Sequence, residues 1–83
     1  MTSKYAQLAN LYRVLANPSR LEILQVLSKG EVCVREIQEQ THYRQAYVSQ
    51  QLSLLKDKKM VKMTKVGKKV FYSIDKFDPN LIV

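Results

Sequence analysis

A helical stripe with an uncharged polar face is the feature that most limits how this chain can fold. In the segment AYVSQQLSLL (46–55), Val48, Leu52 and Leu55 recur at the i, i+4 and i+7 spacing of a buried helix face. The intervening positions carry amides and hydroxyls, whereas the solvent face of an ordinary helix carries charged groups. This pattern predicts an amphipathic helix over residues 44–58 whose exposed side is suited to hydrogen bonding.

Three shorter helices are predicted ahead of it. Apolar periodicity predicts a first helix that ends near Ala16. Asn17 then supplies an N-cap acceptor and Pro18 suits the first helical position, so a second helix is expected to run to about Ser28. Apolar residues cover most of the circumference of this second helix, which predicts that it lies at the centre of the core.

The third and fourth predicted helices form a pair. The run VCV (32–34) is expected as a short edge strand before a third helix over residues 34–40, and THY (41–43) as the turn before the fourth helix. Two successive short helices joined by a tight turn have the outline of a helix-turn-helix motif. In that motif the second helix enters the major groove of DNA.

Strand periodicity follows the fourth helix. Apolar and polar residues alternate in two runs that begin at Val61 and Val70, and Gly67 between them supplies the positive φ that a tight hairpin turn requires. Lysines surround this glycine, and a hairpin with a cationic tip beside a helix-turn-helix is a wing. The sequence therefore predicts a single domain over residues 1–83, mainly α with a small β-hairpin, of the winged helix-turn-helix class.

The basic residues are concentrated in one part of the chain. Residues 44–69 hold eight basic side chains and one acidic side chain, which accounts for the whole formal net charge of +7, while the remaining residues hold six of each sign. Such a block creates a positive field that attracts a polyanion. Together with the polar helix face, it predicts double-stranded DNA as the partner.

Two sets of residues are the predicted DNA contacts. Amides pair with adenine and a guanidinium with guanine, so the outward residues of the fourth helix are assigned to base reading. These residues are Arg44, Gln45, Ala46, Tyr47, Ser49 and Gln50. Lysines near the helix end and around the hairpin tip are assigned to the DNA backbone and the wing. These residues are Lys56, Lys58, Lys59, Lys65, Lys68 and Lys69.

The sequence also bears on functions other than DNA binding. A winged helix can also dock a protein partner and use its lysines for solubility, with only non-specific DNA affinity, and this alternative stays open. Neither catalysis nor a cofactor is expected, because one His, one Cys and two Gly supply no catalytic motif. No apolar run exceeds three residues, so we expect no membrane span and no secretory signal, and a location in the cytoplasm.

Four segments in order resemble the arsenical-resistance repressor (ArsR-type) family of winged-helix transcriptional regulators. They are LANPSRLEIL (15–24), EVCVREI (31–37), VSQQLSLL (48–55) and GKKVFYSI (67–74). The resemblance implies a homodimer that binds an inverted-repeat operator and represses transcription. It also implies that Gln45, Ala46, Ser49 and Gln50 face the major groove, and that the wing around Lys68 and Lys69 contacts the flanking DNA.

The resemblance does not extend to a metal site. The family's thiolate site begins Cys-Val-Cys, and here the corresponding residues are Cys33, Val34 and Arg35. A guanidinium cannot ligate a metal and repels one, so no metal site is expected, and the residues do not specify an effector. Cys33 is interpreted as a small buried residue, with a redox-reactive thiol as the alternative. His42 is interpreted as a turn residue.

The family's dimer is usually built from its first and last helices, and the last helix is expected to be short or absent here. We therefore expect the dimer interface to come mainly from the first helix, together with apolar residues after Pro79. The predicted interface residues are Tyr5, Leu8, Tyr12, Leu81 and Ile82. The first-helix stripe consists of Tyr5, Leu8, Tyr12 and Leu15, and its alternative interpretation is packing within the core of one subunit.

Overall fold

The computed structural model describes residues 4–75, which form four helices followed by a two-stranded antiparallel hairpin. The elements are α1 (Lys4–Leu15), α2 (Pro18–Leu27), α3 (Val34–Thr41), α4 (Gln45–Asp57), β1 (Val61–Val66) and β2 (Lys69–Ile74). This confirms the predicted winged helix-turn-helix fold. Among these residues, no helix has both the length and the apolar character needed to cross a lipid bilayer. The predictions for Leu81 and Ile82 lie outside the described residues.

Local chemistry explains where α2 begins. The side chain of Asn17 accepts hydrogen bonds from the backbone N–H groups of Ser19 (2.9 Å) and Arg20 (3.3 Å), and Pro18 occupies the first helical turn. These bonds satisfy donors that have no partner within the helix. Ile23 and Leu24 are completely buried, so the prediction that α2 is the central helix is confirmed.

A left-handed residue joins the two helices of the helix-turn-helix. His42 has φ 65° and ψ 14°, and its backbone N–H donates to the carbonyl of Gln38 at 2.7 Å, which closes α3. Left-handed backbone is uncommon for residues other than glycine, although histidine tolerates it better than most. The interpretation of His42 as a turn residue is confirmed, and α4 begins directly after this turn at Gln45.

The hairpin has a two-residue turn. Val66 pairs with Lys69, so Gly67 and Lys68 form the turn, and Gly67 has φ 64°. A positive φ at the first turn position alone is the type II′ pattern, which matches the twist of antiparallel strands. The hairpin extends beyond the core, and for this reason Met63 is 39% exposed although the strand alternation predicts it on the inner side.

The core is assembled from all four helices and the start of the hairpin. Val32 forms an antiparallel bridge with Tyr72, and two backbone hydrogen bonds of 3.0 and 2.7 Å between them attach the hairpin to the helices. The edge strand predicted over residues 32–34 is therefore reduced to this single bridge. Val48, Leu52 and Leu55 are completely buried, as predicted, so the opposite side of α4 faces solvent.

Candidate nucleic-acid interface

The solvent side of α4 carries uncharged polar and small side chains. We call this set the α4 outer face, and it comprises Gln45, Ala46, Ser49, Gln50 and Ser53, all of them exposed. Arg44, also exposed, precedes it as the N-cap residue but makes no capping bond with its side chain. Within residues 4–75 the side chains of this set make no hydrogen bond to another part of the protein, so their donors and acceptors are available to a ligand.

Tyr47 differs from the other predicted base-reading residues. Its ring is partly buried, and its hydroxyl donates to Oγ of Ser19 on α2 at 2.7 Å. The ring also lies edge-on to that of Tyr43, with 5.3 Å between the ring centroids. The polar atom of Tyr47 is therefore directed toward α2, while the α4 outer face is directed toward solvent.

Sequence reasoning missed a buried amide next to this face. Gln51 is only 8% exposed, and its Oε1 accepts a hydrogen bond from Nε of Arg20 at 3.0 Å. Nη1 of the same guanidinium lies 3.4 Å from the carbonyl oxygen of Val14 at the end of α1 and donates to it. The four-residue spacing of Tyr47 and Gln51 places them on one side of α4, but it carries no signal for the partner of Gln51 on α2.

Lysines lie at the end of α4 and along the hairpin. The six predicted backbone-contacting lysines are all exposed. The one ion pair among residues 4–75 joins Arg35 to Glu39 on α3 at 3.2 Å, so no carboxylate within these residues neutralises the lysines. Their positive field is consequently available to an external anion.

Lys59 occupies a backbone position that normally favours glycine. Its φ is 62°, and it ends α4 with two hydrogen bonds, from its own N–H to the carbonyl of Lys56 (2.9 Å) and from the N–H of Met60 to the carbonyl of Leu55 (3.0 Å). This is the Schellman arrangement, in which the left-handed residue is usually glycine. A lysine side chain here is unfavourable for the backbone, and it brings a cation to the end of the helix.

The predicted dimer residues on α1 are exposed in the single chain. Tyr5 is 78%, Leu8 38% and Tyr12 54% exposed, whereas Leu15 from the same predicted stripe is buried. The alternative interpretation, packing inside one subunit, is therefore wrong for the two tyrosines and correct for Leu15. The helix presents an aromatic surface with no covering among residues 4–75.

Cys33 is not buried, contrary to prediction. It is partly exposed at the N-terminus of α3, and its Sγ lies 3.6 Å from a carboxylate oxygen of Glu36. The physical reason is the bridge to the hairpin, because Val32 takes the inward position of this short segment. Within residues 4–75, no three His, Cys, Asp or Glu side chains are grouped so that they could hold a metal ion.

Comparison with known proteins places this architecture in a family. Residues 17–62, which include the whole helix-turn-helix, match the model of the arsR family of bacterial regulatory proteins. The chain belongs to the arsR family. The predicted resemblance is thereby confirmed, and the matched residues contain α2, α3, α4 and the start of β1.

Relatives of this ArsR-family chain are named as regulators. It is 35% identical over 68 residues to a transcriptional repressor SmtB homolog of Synechocystis sp., an alignment that covers 82% of this chain and 52% of the relative. The crystal structure of the transcriptional repressor BigR from Xylella fastidiosa superposes with a TM-score of 0.85 at 30% identity, over 95% of this chain and 79% of that one. The ArsR-family chain thus spans about half the length of the cyanobacterial relative.

A third similarity concerns assembly. The solution structure of a homodimeric winged helix-turn-helix DNA-binding domain from Mycobacterium bovis, described as a possible ArsR-family regulator, superposes with a TM-score of 0.74. It is 34% identical and is matched over 82% of this ArsR-family chain and 63% of that domain. The fold of this chain therefore occurs in a domain that forms homodimers.

Proposed function

We propose that this chain is a sequence-specific double-stranded DNA-binding transcriptional regulator that acts as a homodimeric repressor at an inverted-repeat operator. The observation that carries the proposal is the α4 outer face, an exposed row of uncharged hydrogen-bonding groups on the second helix of a helix-turn-helix. Residues 1–83 act in it as one DNA-binding domain. Such a regulator performs no catalysis and acts in the cytoplasm, where a bacterial chromosome lies.

Base reading is assigned to the N-terminal half of α4. Gln45 and Gln50 can each pair with adenine through two hydrogen bonds, Arg44 can pair with guanine, and Ala46 can contact a thymine methyl. None of these side chains is engaged within residues 4–75, so none needs to give up an internal bond on binding. Ser49 lies between them on the same exposed side and accepts or donates as the base requires.

The lysines supply affinity without sequence preference. Lys56, Lys58 and Lys59 follow the base-reading residues along the chain, where the DNA backbone would leave the groove. Lys65, Lys68 and Lys69 place three further charges around the hairpin tip, which is suited to flanking phosphates or to the minor groove. Each phosphate contact releases counterions, so binding should weaken steeply with salt.

A two-fold dimer would bring two such helices to one face of the DNA. The exposed aromatic surface of Tyr5 and Tyr12 on α1 supports this assembly, because a single small domain gains stability by covering it. Helix-turn-helix dimers place their recognition helices about 34–36 Å apart, one turn of DNA. The operator is therefore expected to be an inverted repeat.

The protein-docking alternative has less support. It calls for an apolar surface around Tyr43 and Tyr47, but both rings are partly buried and both hydroxyls are bonded to α2, at 3.1 Å to Glu22 and 2.7 Å to Ser19. The α4 outer face contains no large apolar side chain that could anchor a protein partner.

Selection of bound sites from random DNA duplexes tests the proposal. We expect an enriched inverted repeat, bound with a 2:1 ratio of chain to duplex. Gln45→Ala should reduce discrimination at one base position of each half-site, whereas Gln25→Ala, which removes an exposed amide from α2, should not. Absence of any enriched sequence would refute specific recognition, and enrichment of a site without two-fold symmetry would refute the homodimer.

A further inference from the structure

Three hydrogen bonds join α2 to α4 and to the turn that precedes it. From the α4 side, Tyr43 donates to Glu22 (3.1 Å), Tyr47 donates to Ser19 (2.7 Å), and Gln51 accepts from Arg20 (3.0 Å). We call these six residues the polar seam. Tyr47 and Gln51 are four residues apart, so their bonds lie on one side of α4, while Tyr43 belongs to the preceding turn.

We infer that the polar seam sets the rotation of α4 about its own axis, and that Ser19, Arg20, Tyr47 and Gln51 are positioning residues for base recognition. The inference rests on the proposed function. It assigns Tyr47 to helix placement instead of base contact, because its hydroxyl is already bonded to α2.

Apolar packing alone would hold the rotation loosely. The completely buried Val48, Leu52 and Leu55 attach α4 to the core, but the hydrophobic effect that drives their burial has no direction. Hydrogen bonds weaken steeply as their angle departs from linear, so a row of them resists rotation. With side chains the helix radius is about 5–6 Å, so a rotation of about 20° moves a side-chain end by about 2 Å. That displacement is enough to break a paired contact with a base.

Each seam residue on α4 is the direct neighbour of a residue proposed to read bases. Gln51 directly follows Gln50 of the α4 outer face, and Tyr47 directly follows Ala46. Neighbouring residues on a helix are separated by a fixed rotation of about 100°, so fixing one member of each pair fixes the direction of the other. Buried Gln51 has a particularly strong preference for one position, because losing its bond to Arg20 would leave a polar group unsatisfied away from water.

Arg20 extends this positioning to α1. Its Nη1 donates to the carbonyl of Val14 at 3.4 Å while its Nε donates to Gln51, so one guanidinium contacts both the helix proposed for the dimer and the recognition helix. The placement of α4 relative to the partner subunit, and hence the preferred spacing of the half-sites, would then depend on the same side chain.

The test compares specificity with stability. Tyr47→Phe and Gln51→Met each remove one seam bond, and Val26→Ala removes buried volume from α2 without touching the seam. For each variant, dissociation constants are measured on the selected operator and on a scrambled duplex at the same salt, together with Tm. We call the affinity for the operator divided by the affinity for the scrambled duplex the specificity ratio, and we expect both seam variants to lower this ratio by about three- to tenfold. We expect Val26→Ala to lower Tm with the ratio unchanged.

Two further variants separate positioning from direct contact. Ser19→Ala combined with Tyr47→Phe should lower the ratio no more than either change alone, because both remove the same bond. Gln51→Glu keeps an acceptor for Arg20 and should recover most of the ratio lost in Gln51→Met. If Gln51 only filled space, Gln51→Glu would not restore the ratio.

Several results would overturn the inference. An unchanged ratio in both seam variants with a lowered Tm would show that the seam only stabilises the fold. Additive losses in Ser19→Ala and Tyr47→Phe would show that Tyr47 contacts DNA itself. A wild-type chain that does not distinguish the operator from the scrambled duplex would refute the proposed function and the inference together, whereas a discriminating wild type with unaffected variants would refute the inference alone.

Discussion

Replacing Lys59 with glycine should stabilise the protein and weaken its binding to DNA. Lys59 has φ 62° in the Schellman arrangement that ends α4, a conformation that costs an L-residue about 1–2 kcal/mol. Glycine avoids this cost, but it loses about 0.5–1 kcal/mol of additional chain entropy on folding. The expected net gain is about 0.5–1 kcal/mol, which corresponds to a rise in Tm of about 2–8 °C for a domain of this size.

The effect of Lys59→Gly on DNA binding should have the opposite direction. If each Lys59 contacts one phosphate, a homodimer loses two contacts and the slope of log K against log salt becomes shallower by about 1.8. Raising the salt from about 50 to about 200 mM should then reduce affinity about tenfold less than it does for the wild type. Operator and scrambled DNA should be affected equally, because phosphates carry no sequence information.

A matched variant separates the two causes. Lys59→Ala removes the same charge but keeps a Cβ at positive φ, so it should show the DNA effect of Lys59→Gly without the rise in Tm. Thermal unfolding and salt-dependent binding titrations measure the two quantities. A Tm of Lys59→Gly at or below that of Lys59→Ala would refute the backbone argument, and an unchanged salt slope in both variants would refute the phosphate contact.

Three other substitutions test the remaining parts of the interface. Lys68→Ala in the hairpin turn should flatten the salt slope for all duplexes, measured against Lys29→Ala, which lies outside the basic block and should not. Gln50→Ala should cost about 1–3 kcal/mol of discrimination at one base pair, measured with singly substituted operators; an equal loss on scrambled DNA would count against base reading. Tyr12→Glu should shift the dimer toward monomer in sedimentation and weaken operator binding, and an unchanged dimer would remove α1 from the interface.

Local signals in the sequence predicted most of the fold. Asn17 and Pro18 determine the start of α2 through bonds within a few residues, and Gly67 determines the hairpin turn by its own φ. The buried side of α4 was equally predictable from the sequence, because Val48 and Leu52 repeat at helical spacing over a long element. Such features depend on neighbours along the chain, which the sequence displays directly.

The polar seam and the position of Cys33 could not be predicted in this way. Arg20 and Gln51 are 31 residues apart, and their bond exists only because the tertiary fold brings these two side chains together. Cys33 lies in a run of three apolar residues, too short for periodicity to decide which of them faces inward. That choice is made by the bridge between Val32 and Tyr72, which depends on the fold of a distant hairpin.

The arrangement of α4 separates the origins of affinity and specificity. Its outer face is uncharged, while the lysines lie at its end and on the hairpin, so changes in salt should act on binding to every sequence alike. Discrimination between DNA sequences depends instead on the direction of a few short amide and hydroxyl groups. That direction is controlled by the sides of α4 that contact the rest of the protein. Two of those sides differ in kind: the stripe containing Leu52 is apolar, and the stripe containing Tyr47 and Gln51 is hydrogen-bonded. The apolar stripe keeps α4 attached to the core, and the hydrogen-bonded one keeps Gln45 and Gln50 directed at the groove.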